Sequence, residues 1–337
     1  MHKAIWRDYN QFPQGNGQWE MIRPPWGRLF SGREKVLKAV KKWNSWDPLL
    51  LTTPESQFFL PPICVNSISD NVRRNLISSQ LAFTILLGVL AVGFGISYIL
   101  TSFDERFLRA AVLVFSGLLY VGTDTYLIQR SKECLIERAM FVHWVFSRKN
   151  ILVILFAVTM LLTGLGQFFL EKELGGFDNV VMAYGVYFKS VESGQWWRYL
   201  TGPFIHSGLL HWVNNLFMGI IAIGLAGTFG KKSLILYFIT WMVASSICVK
   251  YFSSADALVG ISGGVFGLFG WAIAYAFKKR ALFPKYFWLS LALFSLLNIT
   301  IPFLFSTNIS QVAHLTGLIF GMFFGICGIG GSTEKLG

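Results

Sequence analysis

Long apolar runs, broken by short polar stretches, fill the chain from residue 80 almost to its end. They cover roughly 80–100, 108–128, 150–170, 204–229, 233–251, 257–277, 284–305 and 311–329. A helix needs about twenty residues to cross a ~30 Å hydrocarbon core, and these runs are of that length. The second carries Arg109 and Asp124 near its ends. The pattern predicts a transmembrane hairpin over 80–128 and six further spans over 150–330. Residues 1–79 hold no such run, and Pro13, Pro24, Pro25, Pro48, Pro54, Pro61 and Pro62 cut them into short pieces. Within them Ser31 to Trp46 reads as one basic helix, with Lys35, Lys38, Lys41 and Lys42 on its polar side. Such a helix is solvated in the cytosol or, as the alternative, lies on anionic lipid.

Composition agrees with the pattern. Of the 337 residues 54% are hydrophobic and 14% charged, and the mean hydropathy is +0.54. Soluble domains carry roughly 25% charged residues. The net charge of +12 reads as membrane topology, because its lysines and arginines cluster beside apolar runs, where they mark cytoplasmic ends. No nucleic-acid partner is expected. Arg130, Lys132, Arg138, Arg148 and Lys149 keep the linker after the hairpin inside; Lys231 with Lys232, and Lys278 with Lys279 and Arg280, keep two later turns inside. The fold class is therefore an all-α polytopic membrane protein. It has a basic cytosolic N-terminal region (1–79), a hairpin (80–128), a basic cytosolic linker (129–149), a six-span core (150–330) and a short tail (331–337).

No positively charged region followed by a short apolar one opens the chain, so no cleaved secretory signal is expected. Asp8, Glu20, Glu34 and Asp47 fit a mitochondrial presequence poorly. A bacterial inner membrane is the first expectation and the mitochondrial inner membrane the alternative. Cys64, Cys134, Cys248 and Cys327 have neither paired nor metal-ligand spacing, and no metal or other cofactor is expected.

The topology has a consequence for polar residues. Spans two, four and six of the core all run from outside to inside. Ser262 lies sixteen residues before Lys278, Asn215 sixteen before Lys231, and His314 sixteen before Gly330. At 1.5 Å per residue each sits about 24 Å above the inner boundary, just below the outer one. Polar groups at membrane depth are costly and are functional candidates by default. Gly260-Ile261-Ser262-Gly263 is by itself an ordinary loop signal. Joined by depth to His314 it becomes a nucleophile with a candidate base, since a serine hydroxyl is weak until a base takes its proton. Three of the five histidines, His206, His211 and His314, fall at the outer ends of spans two and six. His211 and Asn215 share a helical face at i, i+4 and are candidate donors to an oxyanion. Structural readings stand beside these: His206, His211 and Asn215 as polar links between helices, and His314 as a satisfied helix-end histidine. No H-E-x-x-H motif supports a zinc protease. Two glycine faces, Gly263, Gly267, Gly270 and Gly317, Gly321, Gly325, predict close approach of spans four and six.

The motifs Gly260-Ile261-Ser262-Gly263, Ala313-His314-Leu315-Thr316-Gly317 with Gly321, and His206-Ser207-Gly208-Leu209-Leu210-His211-Trp212-Val213-Asn214-Asn215 resemble the three signatures of rhomboid intramembrane serine proteases. Trp197-Arg198 resembles the Trp-Arg pair of that family's first long loop. The resemblance covers about 150–330. It implies a six-helix rhomboid-like core, a Ser–His dyad without a third acid, and cleavage of other proteins' transmembrane segments near the outer face of the bilayer. On that pattern Ser262 is the nucleophile and His314 the base. His211, Asn215 and the Ser262 amide form the oxyanion hole, and His206, Gly260, Gly263, Phe266, Gly317 and Gly321 support them. Phe266 stands where many relatives carry a tyrosine stacked on the histidine, and Gln195 where an acid often precedes the Trp-Arg pair. Asp256 reads as a loop residue rather than a triad acid. The long segment 171–203, rich in tyrosine and tryptophan, is expected to be a partly helical loop in the outer leaflet. The family's lateral gate lies between spans two and five, so Phe287, Trp288, Phe294, Phe303 and Phe305 of span five are candidates to face substrate or plain lipid. The alternative function is a catalytically silent relative that binds transmembrane clients. In both readings the partners are transmembrane proteins and the lipid bilayer.

Overall fold

The computed structural model describes residues 4–23, 27–148, 150–301 and 310–336. Pro24, Pro25, Lys149, Phe303 and Phe305 lie outside the described residues. The chain forms two compact units. One gathers residues 4–148, 279–301 and Leu336; the other gathers 150–278 and 310–335. The predicted six-span core is thus divided, and its fifth span belongs with the N-terminal region.

The first unit contains a small sheet that the hydropathy pattern does not reveal. Strands β1 (Glu20–Ile22), β2 (Arg28–Ser31) and β3 (Leu50–Thr52) pair antiparallel in the order β2-β1-β3. Helix α1 is Arg33–Val40, shorter than predicted. Its Val36 and Val40, at i and i+4, are buried with Met21, Trp43, Leu49 and Leu51, while Lys35, Lys38, Lys41 and Lys42 stay exposed. The apolar face that lying on lipid would require is therefore taken up inside the protein.

Helix α2 (Asn66–Leu100) starts well before its apolar span. Ile68, Val72 and Leu76, each one turn apart, bury in the same core, so the first turns of the helix pack inside this unit and its apolar stretch continues beyond it. Helix α3 (Glu105–Arg130) returns, capped by Asp104, whose carboxylate accepts from the Arg106 amide. Both are long and apolar enough to cross a bilayer. Residues 129–149, read from charge as a linker, form α4 (Lys132–Ser147), which buries Cys134, Leu135, Ala139, Met140, Phe141, Val142 and Trp144. Arg138 of α4 makes a buried ion pair with Asp124 of α3, donates to Ser45 Oγ (3.1 Å) and lies over the Trp46 ring. Asp124 also accepts from Gln80 Nε2 at 2.9 Å. The carboxylate that weakened the second apolar run is thus matched inside the protein.

Helix α12, Phe287–Thr300, belongs to this unit because its side chains meet α3 and α4 (α5–α11 follow with the second unit). Ser116 Oγ and Thr300 Oγ1 are 2.6 Å apart, Tyr120 stands 6.3 Å from Phe294 between ring centroids, and Phe141 meets Phe287 at 4.9 Å. Phe287 is buried by that contact, which leaves it no open face for a substrate.

The unit holds one histidine outside its spans with a clear pH consequence. His143 of α4 is buried, stacks on Phe12 at 4.7 Å, and its Nδ1 has no hydrogen-bond partner among the described residues. Burial lowers its pKa from 6.5 to about 4. Above pH 6.5 the ring is neutral in both folded and unfolded chains. As the pH falls from 6.5 to about 4, only the unfolded chain takes up the proton. Folding is expected to lose about 3 kcal/mol over that window. Unfolding measured at stepped pH checks this, and His143→Phe should flatten the profile.

The second unit is built around α11 (Ser262–Lys278), buried from Gly263 through Ala276. Around it stand α5 (Ile151–Leu174), α9 (Leu209–Phe229), α10 (Leu234–Phe252) and α13 (Gln311–Cys327). Helices α5, α9 and α10 meet the length and hydropathy for a span, so the protein is an integral, multi-pass membrane protein. The loop 171–203 folds as α6 (Phe177–Tyr184), strand β4 (Val186–Tyr187), α7 (Phe188–Glu192) and α8 (Arg198–Thr201), in line with its expected partly helical character. Strand β4 pairs with β5 (Ala257–Leu258), and the Phe188 amide donates to the Asp256 carbonyl. The loop is thereby tied to the segment that leads into Ser262.

Candidate active site

Ser262 is the first residue of α11 because the chain turns sharply just before it. Gly260 has φ +97°, a left-handed conformation that glycine adopts freely and other residues resist. The first amides of α11 point away from the helix body without intrahelical acceptors, and the positive end of the helix dipole lies there. Ser262 Oγ lies 2.9 Å from His314 Nε2 of α13, a hydrogen-bonded pair formed across 52 residues of chain.

His314 is held on two sides. Its ring is buried and packs on Phe266 with centroids 4.5 Å apart. The phenylalanine ring thus covers the histidine at a tilt of 32° without the hydroxyl that a tyrosine would bring. Nδ1 of His314 is buried with no hydrogen-bond partner among the described residues, so no acid stands behind the ring. Asp256 is exposed and joins the structure through its backbone carbonyl.

Close approach of α11 and α13 is what makes the pair. A methyl group at Gly317 would strike the Gly263 carbonyl oxygen, and one at Gly321 would strike the Gly267 carbonyl. A methyl at Gly325 would fall 2.8 Å from Ala274 Cβ, and one at Gly270 would strike the Leu318 carbonyl oxygen. The Gly317, Gly321 and Gly325 face thus meets α11 as its spacing predicts, and Gly270 meets the Leu318 backbone, whereas Gly263 and Gly267 make room for Ser245 and Trp241 of α10. Backbone cannot yield as a flexible side chain can, so Gly321→Val must push α13 away from α11. The expected result is a loss of about 1–3 kcal/mol of stability and, because an ångström of misplacement is costly, roughly a hundredfold fall in turnover. Thermal unfolding and reporter cleavage by the same preparation check both.

His211 and Asn215 project from α9 toward the same turn. A Cβ built on Gly260 would lie 2.8 Å from His211 Nε2 and 3.5 Å from Asn215 Nδ2. Glycine at 260 is thus required twice, for its φ and for this space. His211 Nδ1 accepts from the Ser207 amide at 3.4 Å and lies 3.0 Å from Ser207 Oγ. With Nδ1 accepting, a neutral ring carries its proton on Nε2, on the side facing Gly260. Asn215 is buried and its Nδ2 has no hydrogen-bond partner among the described residues. An orphaned buried N–H costs about 1–3 kcal/mol, and such a group calls for a functional or structural reason.

His206 does not point its chemistry into this group. Its Nδ1 lies 3.0 Å from the Phe204 carbonyl and its ring packs edge-on against His211 at 5.2 Å. Gln167 of α5 holds its backbone, donating to the carbonyl at 2.7 Å and accepting from the amide at 2.8 Å. Gln167 and the Ser207 hydroxyl were not singled out from sequence. A lone amide in the apolar run of α5 was the available signal for Gln167.

The loop that precedes α9 is fixed by Arg198, which is buried. It donates to Gln195 Oε1 at 2.7 Å and to the carbonyls of Met182 and Gly185, each at 3.0 Å. Gln195 thus serves as the acceptor that a carboxylate would provide.

Comparison with known proteins identifies the family. Residues 193–330 match the Rhomboid domain family. The chain is 30% identical over 185 residues to the rhomboid protease GlpG of Haemophilus influenzae, covering 52% of this chain and 93% of that protein. It is 29% identical over 161 residues to the rhomboid protease GluP of Bacillus subtilis, covering 47% of this chain but only 31% of the relative. The RHOMBOID-like protein 6, mitochondrial, of Arabidopsis thaliana is 26% identical over 138 residues, covering 41% of this chain and 45% of the relative. Bacterial and mitochondrial relatives thus both appear. With the motifs assembled in one helical unit, and nearly the full length of the Haemophilus protein aligned, the chain belongs to the rhomboid family.

Proposed function

We propose that this protein is an intramembrane serine endopeptidase that cleaves transmembrane segments of other membrane proteins near the outer face of the bilayer. The observation that carries the reading is the 2.9 Å pair of Ser262 Oγ and His314 Nε2. Relatives that are named rhomboid proteases support the reaction class. The Ser262 hydroxyl attacks the scissile carbonyl while its proton passes to His314 Nε2. The carbonyl oxygen becomes an oxyanion, and His211 Nε2–H, Asn215 Nδ2–H and the Ser262 amide donate to it. His314 then returns the proton to the leaving amine, and an acyl-enzyme remains on Ser262. Water, deprotonated by His314, attacks the ester and releases the second product. An isolated dyad suffices because the buried ring is held by Phe266 instead of an acid.

Depth supports the cut position. Ser262 opens a helix whose far end is Lys278, so the reacting atom lies near the outer boundary. The clients are single transmembrane segments, and the membrane is a bacterial inner membrane in the first instance.

The test is a panel of reporter proteins with one transmembrane segment each, incubated with the chain in proteoliposomes, with the new termini read by mass spectrometry. The expected result is cleavage within the outer part of a segment. Asn215→Ala and His211→Ala should each lower the rate about 10²–10³-fold, as expected for loss of an oxyanion donor. Cuts outside the membrane segment, or equal rates in these variants, would contradict the reading. Binding of the segments with no cleavage would favour the silent relative.

A further inference from the structure

The first unit holds a cleft that the hydrolytic reading does not use. Its volume is about 400 Å³ and it is lined by Tyr126, Leu127, Arg130, Ser131, Cys134, Lys285 and Tyr286. It lies where α3 ends, α4 begins and α12 begins, at the basic ends of two apolar helices, the ends that the charge pattern of the sequence assigns to the cytosol.

Its chemistry is that of an anion site. Arg130 and Lys285 are exposed, and neither has a carboxylate partner among the described residues. Each lies over a tyrosine ring instead: Arg130 at 5.5 Å from Tyr126 and Lys285 at 5.6 Å from Tyr286. Two other cations of this unit are paired, Arg7 with Glu137 and Lys132 with Asp70. Glu137 accepts from Arg7 and from the Lys285 amide, so both its oxygens are occupied. Ser131 and Tyr286 are the N-cap residues of α4 and α12, so the positive ends of two helix dipoles converge on the cleft. The Ser131 oxygen already accepts from the Cys134 amide, which leaves its hydroxyl proton free to donate. One guanidinium, one ammonium, hydroxyl donors and two dipoles, with no acid among the lining residues, match a phosphate group.

We propose that this cleft binds a phosphate group at the cytosolic surface of the membrane, as carried by an anionic phospholipid headgroup or by a soluble phosphate. The position favours the lipid. Tyrosines beside basic residues at span ends suit the headgroup layer, and basic pockets between helices on the cytosolic side recognise such headgroups. An occupant would link α3, α4 and α12 through one charge. The site is independent of Ser262 and His314, so its failure leaves the proposed reaction untouched.

The experiment uses the full chain in detergent, titrated with phosphatidylglycerol and read by native mass spectrometry, with phosphatidylcholine as the neutral control. A parallel arm titrates inorganic phosphate and reads protection against thermal unfolding. The expected result is saturable retention of phosphatidylglycerol over phosphatidylcholine. The double variant Arg130→Gln, Lys285→Gln should lower that affinity roughly thirtyfold, since each basic side chain near an anionic surface contributes about a fivefold factor. Both side chains are exposed and unpaired, so the variant should fold. Lys41→Gln, Lys42→Gln, which removes two exposed charges elsewhere, should bind as wild type does. Saturable protection by inorganic phosphate that the Arg130, Lys285 variant abolishes would keep the site and assign it a soluble ligand. The proposal is overturned if neither probe binds saturably, if the Arg130, Lys285 variant binds unchanged, or if the Lys41, Lys42 variant loses as much.

Discussion

Replacing Ser262 by alanine is expected to lower reporter cleavage by about 10⁴-fold or more, and replacing His314 by alanine should do the same. The two changes together should be no worse than either alone. This follows from the pair acting as a unit: without the hydroxyl there is nothing to acylate, and without the imidazole the hydroxyl keeps its proton. The 2.9 Å bond between them makes that coupling physical. Cleavage rates of the four proteins in one proteoliposome preparation measure it. Additive losses, or a His314→Ala rate within tenfold of wild type, would show that the residues work separately.

The largest expected effect on stability lies in the first unit. Asp124 and Arg138 are both buried, 8% and 4% exposed, and they face each other. Removing one leaves the other charge without its counter-ion in a site that water does not reach. Asp124→Ala is therefore expected to destabilise the fold by about 3–5 kcal/mol, and Arg138→Ala by a similar amount. The double change Asp124→Leu, Arg138→Met removes both charges and refills the space. It should recover most of the loss, because a buried ion pair is often no better than well-packed apolar groups. Chemical unfolding in detergent separates the cases. A double variant as unstable as the single ones would mean that the hydrogen bonds from Gln80 and to Ser45 matter more than the ion pair.

How far the sequence reveals this molecule depends on how local each signal is. Span positions are legible because an apolar run reports its own burial in lipid. The meeting of Ser262 with His314 is legible because co-directional helices carry residues of equal offset to equal depth, and because Gly317 and Gly321 leave room for backbone contact. Helix α4 is not legible. Buried residues run all round it, so no one-sided stripe appears, and Lys132, Glu133, Arg138 and Arg148 give it the look of a charged linker. The sheet of β1, β2 and β3 is hidden for another reason. Its strands are three or four residues long, and pairing Met21 with Leu51 is a non-local event that alternation over so few positions cannot announce. The grouping of α12 with α3 rests on contacts such as Ser116 with Thr300, 184 residues apart. Resemblance to a six-span core gave no hint of it, since α3 belongs to the N-terminal hairpin. The role of Gln195 was open in the sequence and is settled by geometry, as its carbonyl oxygen takes the Arg198 Nε–H at 2.7 Å.

The central claim is that Ser262 is a nucleophile activated by His314. A fluorophosphonate tests it without any choice of substrate. A serine that attacks phosphorus with loss of fluoride keeps a stable covalent adduct, and an unactivated serine does not react. The chain carried intact in its membrane, treated with the reagent and mapped by peptide mass spectrometry, is expected to carry one adduct, on Ser262, and none when His314 is alanine. Reporter cleavage that continues with Ser262 unlabelled, or labelling that persists in His314→Ala, would contradict the account.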